Sequence, residues 1–236
     1  LEDKPDVVCL QEVFDATCLS HIIDILKDEY KYHPVDTNMP KFLFGVDSGL
    51  VIFSKFKILN HMLSVYPYAT GDCFFAIKGI MGIRILIEDK EMCVFTTHMQ
   101  AGGNNKWYLY PLTFITSRTT NQIRYLQLQY AKEKIKEFSR DTPYLFVGDF
   151  NINLYDKKSF EDPKTKEKIP VTSSIPKVFP NIKFTFDDTV NGDKYSIYGN
   201  KMLDYILSEG VECKSWIIDY FNQKDTDHKG VIGEFY

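Results

Sequence analysis

Four stretches of this chain end in side chains that can bind a cation, move a proton or hold a phosphoryl oxygen. They are Gln11-Glu12, Thr97-His98-Met99-Gln100, Gly148-Asp149-Phe150-Asn151 and Asp227-His228. Taken singly, each has an ordinary explanation: Glu12 as a solvated loop acid, His98 as a satisfied core histidine, Asp149 as a turn former. Together they make an inventory of carboxylates, two histidines and an amide, which suits metal-assisted hydrolysis of a phosphoester. Carboxylate oxygens are hard ligands that favour Mg²⁺, an imidazole exchanges a proton near neutral pH, and an amide donates to a phosphoryl oxygen.

Such groups need a rigid frame, and the neighbouring pattern supplies one made of strands. The run 6–11 (DVVCLQ) is β-branched and apolar directly after a proline, and 49–54 (GLVIFS) reads the same way. Further strands are expected over 74–87, 92–98, 144–148, 203–207, 216–221 and 230–235. Leu19, Ile22, Ile23, Leu26 and Tyr30 recur at helical spacing behind Asp15 or Thr17 as N-cap. A longer helix carries Ile123, Leu126, Tyr130, Ile135 and Phe138, opened by the capping pattern Thr119-x-x-Gln122 and ended near Pro143. The segment 156–168, rich in Lys, Glu, Asp and Pro, reads as a solvated loop. Many strands with two or three helices predict an α/β layered sandwich on more than one sheet, as one domain over 1–236.

Composition narrows the function classes. The chain has 236 residues, 44% hydrophobic and 25% charged, with a surplus of Tyr (15) and Phe (18). That composition excludes a disordered, collagenous or disulfide-framework protein. A net charge of −4 provides no global positive field, so nucleic acid is not expected as a partner. Cys9, Cys18, Cys73, Cys93 and Cys213 show neither C-x-x-C nor zinc spacing and read as free, buried thiols. No apolar run is long enough for a transmembrane segment. The residues do not choose between cytoplasmic, membrane-associated and secreted locations.

The order of motifs resembles the endonuclease/exonuclease/phosphatase superfamily, which has the DNase I-like fold. CLQEVFD (9–15), SGLVIFSKFKI (48–58), TTHMQA (96–101), VGDFNIN (147–153), LDYIL (203–207) and TDHKGV (226–231) carry the likeness over nearly the whole chain. Within the superfamily the chain is most similar to neutral, Mg²⁺-dependent sphingomyelinases. QEVFD, THMQA and Lys78-Gly79 point to them, whereas Q-E, G-D-x-N and D-H are common to the whole superfamily.

The resemblance implies a four-layer α-β-β-α sandwich of two mixed sheets, with the site at one end. It implies Mg²⁺, with Mn²⁺ as a substitute, and Glu12 and Asp227 as metal residues. Asp149 and Asn151 would line the phosphate and attacking water, Lys78 and Asn151 would bind substrate, and Asp204 and Asp227 would orient His228 or complete the metal field. His228 is implied as general base and His98 as the phosphoryl-binding group that also protonates the leaving alkoxide, with the division between the two left open. The implied reaction is hydrolysis of sphingomyelin, or a related choline phospholipid, to ceramide and phosphocholine at a membrane surface. The alternatives are an inositol-phosphate phosphatase or nuclease of the same fold, and a non-catalytic interaction module.

Two departures accompany the resemblance. Family members begin with a strand that supplies an Asn to the site, and none precedes Leu1, so the chain is expected to be truncated at its N-terminus. Cys73 also stands where an acidic residue is common. The aromatic segment 107–115 (WYLYPLTFI) suits either a membrane interface or core cover beside the long helix. Tyr195, Tyr198 and Phe74 are candidates to hold choline through a cation–π contact.

Overall fold

The computed structural model describes residues 3–33, 48–70, 73, 77–102, 118–190, 192–219, 223–224 and 226–236. The aromatic segment 107–115 and Phe74 lie outside the described residues.

The central layer is a mixed six-stranded sheet. Its strands are β3 (Lys57–Val65), β4 (Gly79–Ile87), β5 (Lys90–His98), β6 (Tyr144–Asp149), β9 (Lys183–Phe184) and β10 (Asp204–Glu209), in the order β3-β4-β5-β6-β10-β9. Both faces are buried, and the period of two sorts the side chains between them. Cys93, Phe95, Phe146, Tyr205 and Leu207 face helices α2 (Thr120–Ser139) and α3 (Ser174–Val178). Their alternates Val94, Leu145, Val147 and Ile206 face a second β layer.

That second layer holds β1 (Val7–Leu10) paired with β2 (Val51–Ser54), and β11 (Cys213–Ile218) paired with β12 (Gly230–Phe235). Among the described strands these are two antiparallel pairs that do not join into one continuous sheet. Helix α1 (Ala16–Leu26) closes the stack by laying Leu19, Ile22, Ile23 and Leu26 on Val8, Val51 and Phe53. The result is the expected order of four layers, helix, β layer, sheet, helices.

Local signals act where the residues place them. Asp15 caps α1 by accepting from the Cys18 N–H, and Thr119 and Gln122 form a reciprocal capping box on α2. Caps of this kind contribute about 1 kcal/mol each. The sequence expectation differs from the structure at several places, among them the unexpected short strand β9 and a β11 that runs Cys213–Ile218 where 216–221 is expected. Strand β3 lies where no strand is expected from the pattern, because polar residues interrupt its apolar ones: Met62 packs on the helix side, Ile58 and Leu63 on the second β layer, and Leu59 is exposed. The 74–87 strand begins at Gly79. The charged segment 156–168 is not wholly a loop: β7 (Ser159–Glu161) and β8 (Lys168–Pro170) form a hairpin whose Phe160 and Ile169 are buried. There, one apolar residue per short strand was hidden among lysines and glutamates. The described cysteines are free thiols, with Cys73 and Cys93 buried as expected and Cys18 exposed. No described helix is long and apolar enough to cross a membrane.

Candidate active site

Register brings three of the candidate groups together. Strands β5 and β6 are parallel and connected through α2, so both deliver their C-terminal ends to one edge, with His98 opposite Asp149. Strand β10 is antiparallel to β6, and its first residue, Asp204, pairs with Asp149. His98, Asp149 and Asp204 therefore stand on three adjacent strand ends. The close approach of β6 to β5 depends on Gly148, whose φ is +122° and where a Cβ would meet the Thr97 carbonyl oxygen at 2.2 Å.

Asp149 is buried and held by its own turn. Its Oδ1 accepts from the Asn151 main-chain N–H at 2.7 Å and its Oδ2 from the Asn151 side-chain amide at 2.8 Å. Asn151 adopts φ +53°, a region Asn tolerates, and its Nδ2 also donates to the Met99 carbonyl. Burial pushes the Asp149 carboxyl up, and the neighbouring Asp204 charge pushes the same way, against His228, the Asn151 N–H and Lys78.

His228 arrives from a distant loop. Ile197 bridges to His228, the Tyr198 N–H donates to the Asp227 carbonyl, and the Lys229 N–H donates to the Ser196 carbonyl. The buried Ser196 hydroxyl accepts from the main-chain N–H groups of Leu203 and Asp204, so one residue ties His228's neighbour to the start of β10. His228 Nδ1 lies 2.9 Å from Asp204 Oδ2. Burial works against the imidazolium. The hydrogen bond and charge of Asp204, with the charges of Asp149 and Asp227, outweigh it and lift His228 to about 9. Asp227 itself is 83% exposed, with Oδ1 4.0 Å from His228 Nε2.

His98 behaves oppositely. It is 2% exposed, and burial first, then the positive charges of Lys78 and His228, lower it to about 3. It is neutral at physiological pH, so its approaches to Asp149 (3.5 Å) and Glu12 (3.7 Å) are not ion pairs. Lys78 Nζ lies 2.7 Å from Nε2 and 3.0 Å from Nδ1 of the same ring. Burial lowers the Lys78 pKa, with Cys73, Glu12 and Asp149 opposing. Glu12 stands on the turn after β1, at φ +62° and 66% exposed, where the Val13 N–H donates to the Gly49 carbonyl.

The donor set fits a divalent cation. One ligand atom each from Asp149, Asp204 and His228 lies within 4.8 Å of the others, with two carboxylates crowded together and no thiolate. Glu12 stands apart from that trio, against His98. Of the choline candidates, Tyr198 has the Lys229 ammonium 5.2 Å from its ring centroid and donates its hydroxyl to Asp219. Tyr195 packs edge-on against Tyr155, with centroids 5.7 Å apart. The sequence reading passes over Ser196, Arg124 and Gln127. For the last two a signal existed: they are polar residues on the 124, 127, 128, 131, 135 stripe that faces the core.

The profile of the Endonuclease/Exonuclease/phosphatase family matches residues 1–210. The chain belongs to this family. It is 27% identical over 219 residues to a sphingomyelinase C of Bacillus cereus, covering 86% of this chain and 63% of that protein. A sphingomyelinase of Dictyostelium discoideum is 29% identical over 182 residues, 67% of this chain and 39% of that protein. This family member thus spans less than two thirds of the length of these relatives. Among solved structures, a mutant beta toxin from Staphylococcus aureus with bound magnesium ions superposes with a TM-score of 0.66 at 19% identity, covering 97% of this chain and 82% of that one.

Proposed function

We propose that this family member is a Mg²⁺-dependent phosphodiesterase that hydrolyses sphingomyelin, or a related choline phospholipid, to ceramide and phosphocholine. The observation that carries the reading is the alignment of His98, Asp149 and Asp204 on three adjacent strand ends with His228 bonded to Asp204. The sphingomyelinase relatives support the choice of substrate.

The chemistry follows from the geometry. Water adds to phosphorus, the P–O bond to the lipid alcohol breaks, and the water's proton must go to a base while the alkoxide gains one. His228 commits Nδ1 to Asp204, which leaves Nε2 to take and return a proton in the ring's neutral form, the form that a cation offsetting the Asp149 and Asp204 charges would favour. Asp204 fixes that ring orientation and stabilises the imidazolium. Neutral His98, backed by Lys78, is a hydrogen-bonding group for a phosphoryl oxygen and not a reservoir of an acidic proton. Asn151, bonded to both oxygens of Asp149, is held ready beside it. A divalent cation, held by Asp149 and Asp204 with Glu12 nearby, would neutralise the phosphodiester charge and acidify water. Mg²⁺ suits carboxylate ligands, and Mn²⁺ is able to replace it.

The test is phosphocholine release from sphingomyelin vesicles with and without Mg²⁺, beside an inositol phosphate and an abasic DNA. Metal-dependent release from sphingomyelin alone is expected. Turnover of the inositol phosphate or the DNA in its place would move the family member to another branch, and inactivity on all three would favour an interaction module.

A further inference from the structure

Outside the reacting groups, a buried polar cluster lies between α2 and the end of β5. Gln100, two residues beyond His98 and buried, is gripped on both sides of its main chain. Its N–H donates to Gln127 Oε1 at 2.9 Å, and its carbonyl accepts from Arg124 Nε at 2.6 Å. Its side chain repeats the pattern on another segment, with Oε1 accepting from the Thr70 N–H at 2.9 Å and Nε2 donating to the Thr70 carbonyl at 3.1 Å. Gln127 Nε2 donates to the Tyr68 carbonyl at 2.7 Å, and Arg124 Nη1 to Asn121 Oδ1 at 2.8 Å.

Two lines lead from this cluster into the site. Along β5, the residue between Gln100 and His98 is Met99, whose N–H donates to the Asp149 carbonyl and whose own carbonyl accepts from Asn151. From Tyr66, two residues before Tyr68, the hydroxyl bonds the Thr97 hydroxyl at 2.7 Å and the N–H donates to the carbonyl of Lys78. The two lines meet where Lys78 Nζ touches the His98 ring.

A buried guanidinium is an expensive way to fill a helix face. Among the described residues no carboxylate forms an ion pair with Arg124, and burial lowers its pKa to about 10. An apolar side chain on the same stripe would pack without that desolvation cost. What the polar pair adds is direction, because amide and guanidinium bonds fix a backbone in one orientation where apolar packing fixes only a volume.

We propose that Arg124 and Gln127 are positioning residues: by holding the main chain of Gln100 and the carbonyl of Tyr68, they set the His98–Lys78 contact that stabilises the phosphoryl group in the transition state. The inference rests on the phosphodiesterase reading for its kinetic arm only. A displacement of about 1 Å at a reacting group is enough to lower a rate tenfold to a hundredfold.

The experiment compares Arg124→Met, Arg124→Lys and Gln127→Glu with the parent chain and with Lys132→Met, which removes an α2 hydrogen bond to the Val178 carbonyl away from the site. Folded fraction, kcat and KM on sphingomyelin vesicles with Mg²⁺, and the ring ¹⁵N shifts of His98 are read for each. Arg124→Met and Gln127→Glu are expected to lower kcat about tenfold or more in the folded fraction, with KM within about twofold, and to move the His98 ring shifts. Arg124→Lys should recover part of both, and Lys132→Met should change neither. If Arg124→Met does not fold, Arg124→Lys and Gln127→Glu decide. Parent-like kcat and parent-like His98 shifts in a folded Arg124 or Gln127 variant overturn the proposal. Should the parent chain prove inactive on sphingomyelin, the substrate reading fails alone, since the His98 shifts are read without turnover.

Discussion

His98 and Asp149 occupy matched positions on two parallel strands, with Nε2 and Oδ2 3.5 Å apart, yet they do not form an ion pair. Burial that holds the imidazole neutral also raises the carboxyl, so each disfavours its own charge in the space they share. One strand further on, Asp204 and His228 form the charged counterpart, an imidazole lifted by its carboxylate neighbours. Two histidines at one edge are thereby set apart in protonation by their surroundings.

Replacing the His228 imidazole tests its proposed role as the base. His228→Gln is expected to lower kcat by about 10²–10⁴-fold while the fold persists, because the side chain is half-exposed and the amide preserves its size. Asp204→Asn should be milder, about 10–100-fold, since the imidazole stays but loses its orienting charge. Steady-state kinetics with circular dichroism on each variant check both. An unchanged kcat in folded His228→Gln assigns the proton to another group.

Metal removal should abolish turnover and metal addition should move a titration. Excess EDTA is expected to remove activity, with Mg²⁺ or Mn²⁺ restoring it. By NMR, His228 should titrate near 9 without metal, and lower once a cation offsets the Asp149 and Asp204 charges. Full turnover in EDTA overturns the metal assignment, and a His228 titration unmoved by saturating Mg²⁺ places the ion away from this trio.

Acid stability reports on His98. Its folded pKa, about 3, lies below the ordinary histidine value of 6.5, so the unfolded chain binds the extra proton first. Its contribution is complete above pH 6.5 and is lost as pH falls toward 3. Removal of the imidazole in His98→Asn should therefore flatten the decline of Tm between about pH 6.5 and 4, read by thermal melts across that range. An equally steep decline in the variant shows that other groups set the acid limb.

Gly148 should tolerate no side chain. Its φ is +122° and a Cβ there would lie 2.2 Å from the Thr97 carbonyl oxygen, so Gly148→Ala must displace β6 from β5, at a cost of about 3 kcal/mol or more. Gly192, at φ +77° with no atom of the described residues within 4 Å of its Cβ position, isolates the backbone effect, and Gly192→Ala should cost only about 1 kcal/mol. Chemical denaturation of the two variants gives the comparison, and equal losses would show that the contact with Thr97 relaxes freely.

The sequence by itself determined the groups that make up the candidate site, the strands and helices that bear them, and the caps at Asp15 and Thr119. Those signals are local: a capping residue acts over one helical turn, and the alternation of Cys93, Val94 and Phe95 lies within one strand. Family motifs added the layer order. Tertiary structure alone decided that β10 runs against β6 so that Asp204 meets Asp149, that Ser196 ties the loop bearing His228 to the start of β10, and that Lys78 turns onto the His98 ring. These are pairings between residues tens of positions apart, settled by register and packing across the whole sheet, and no short window encodes them. Arg124 and Gln127 show the same division: their place on a core-facing stripe is visible in the chain, but only the folded Gln100 main chain gives those polar groups their partners.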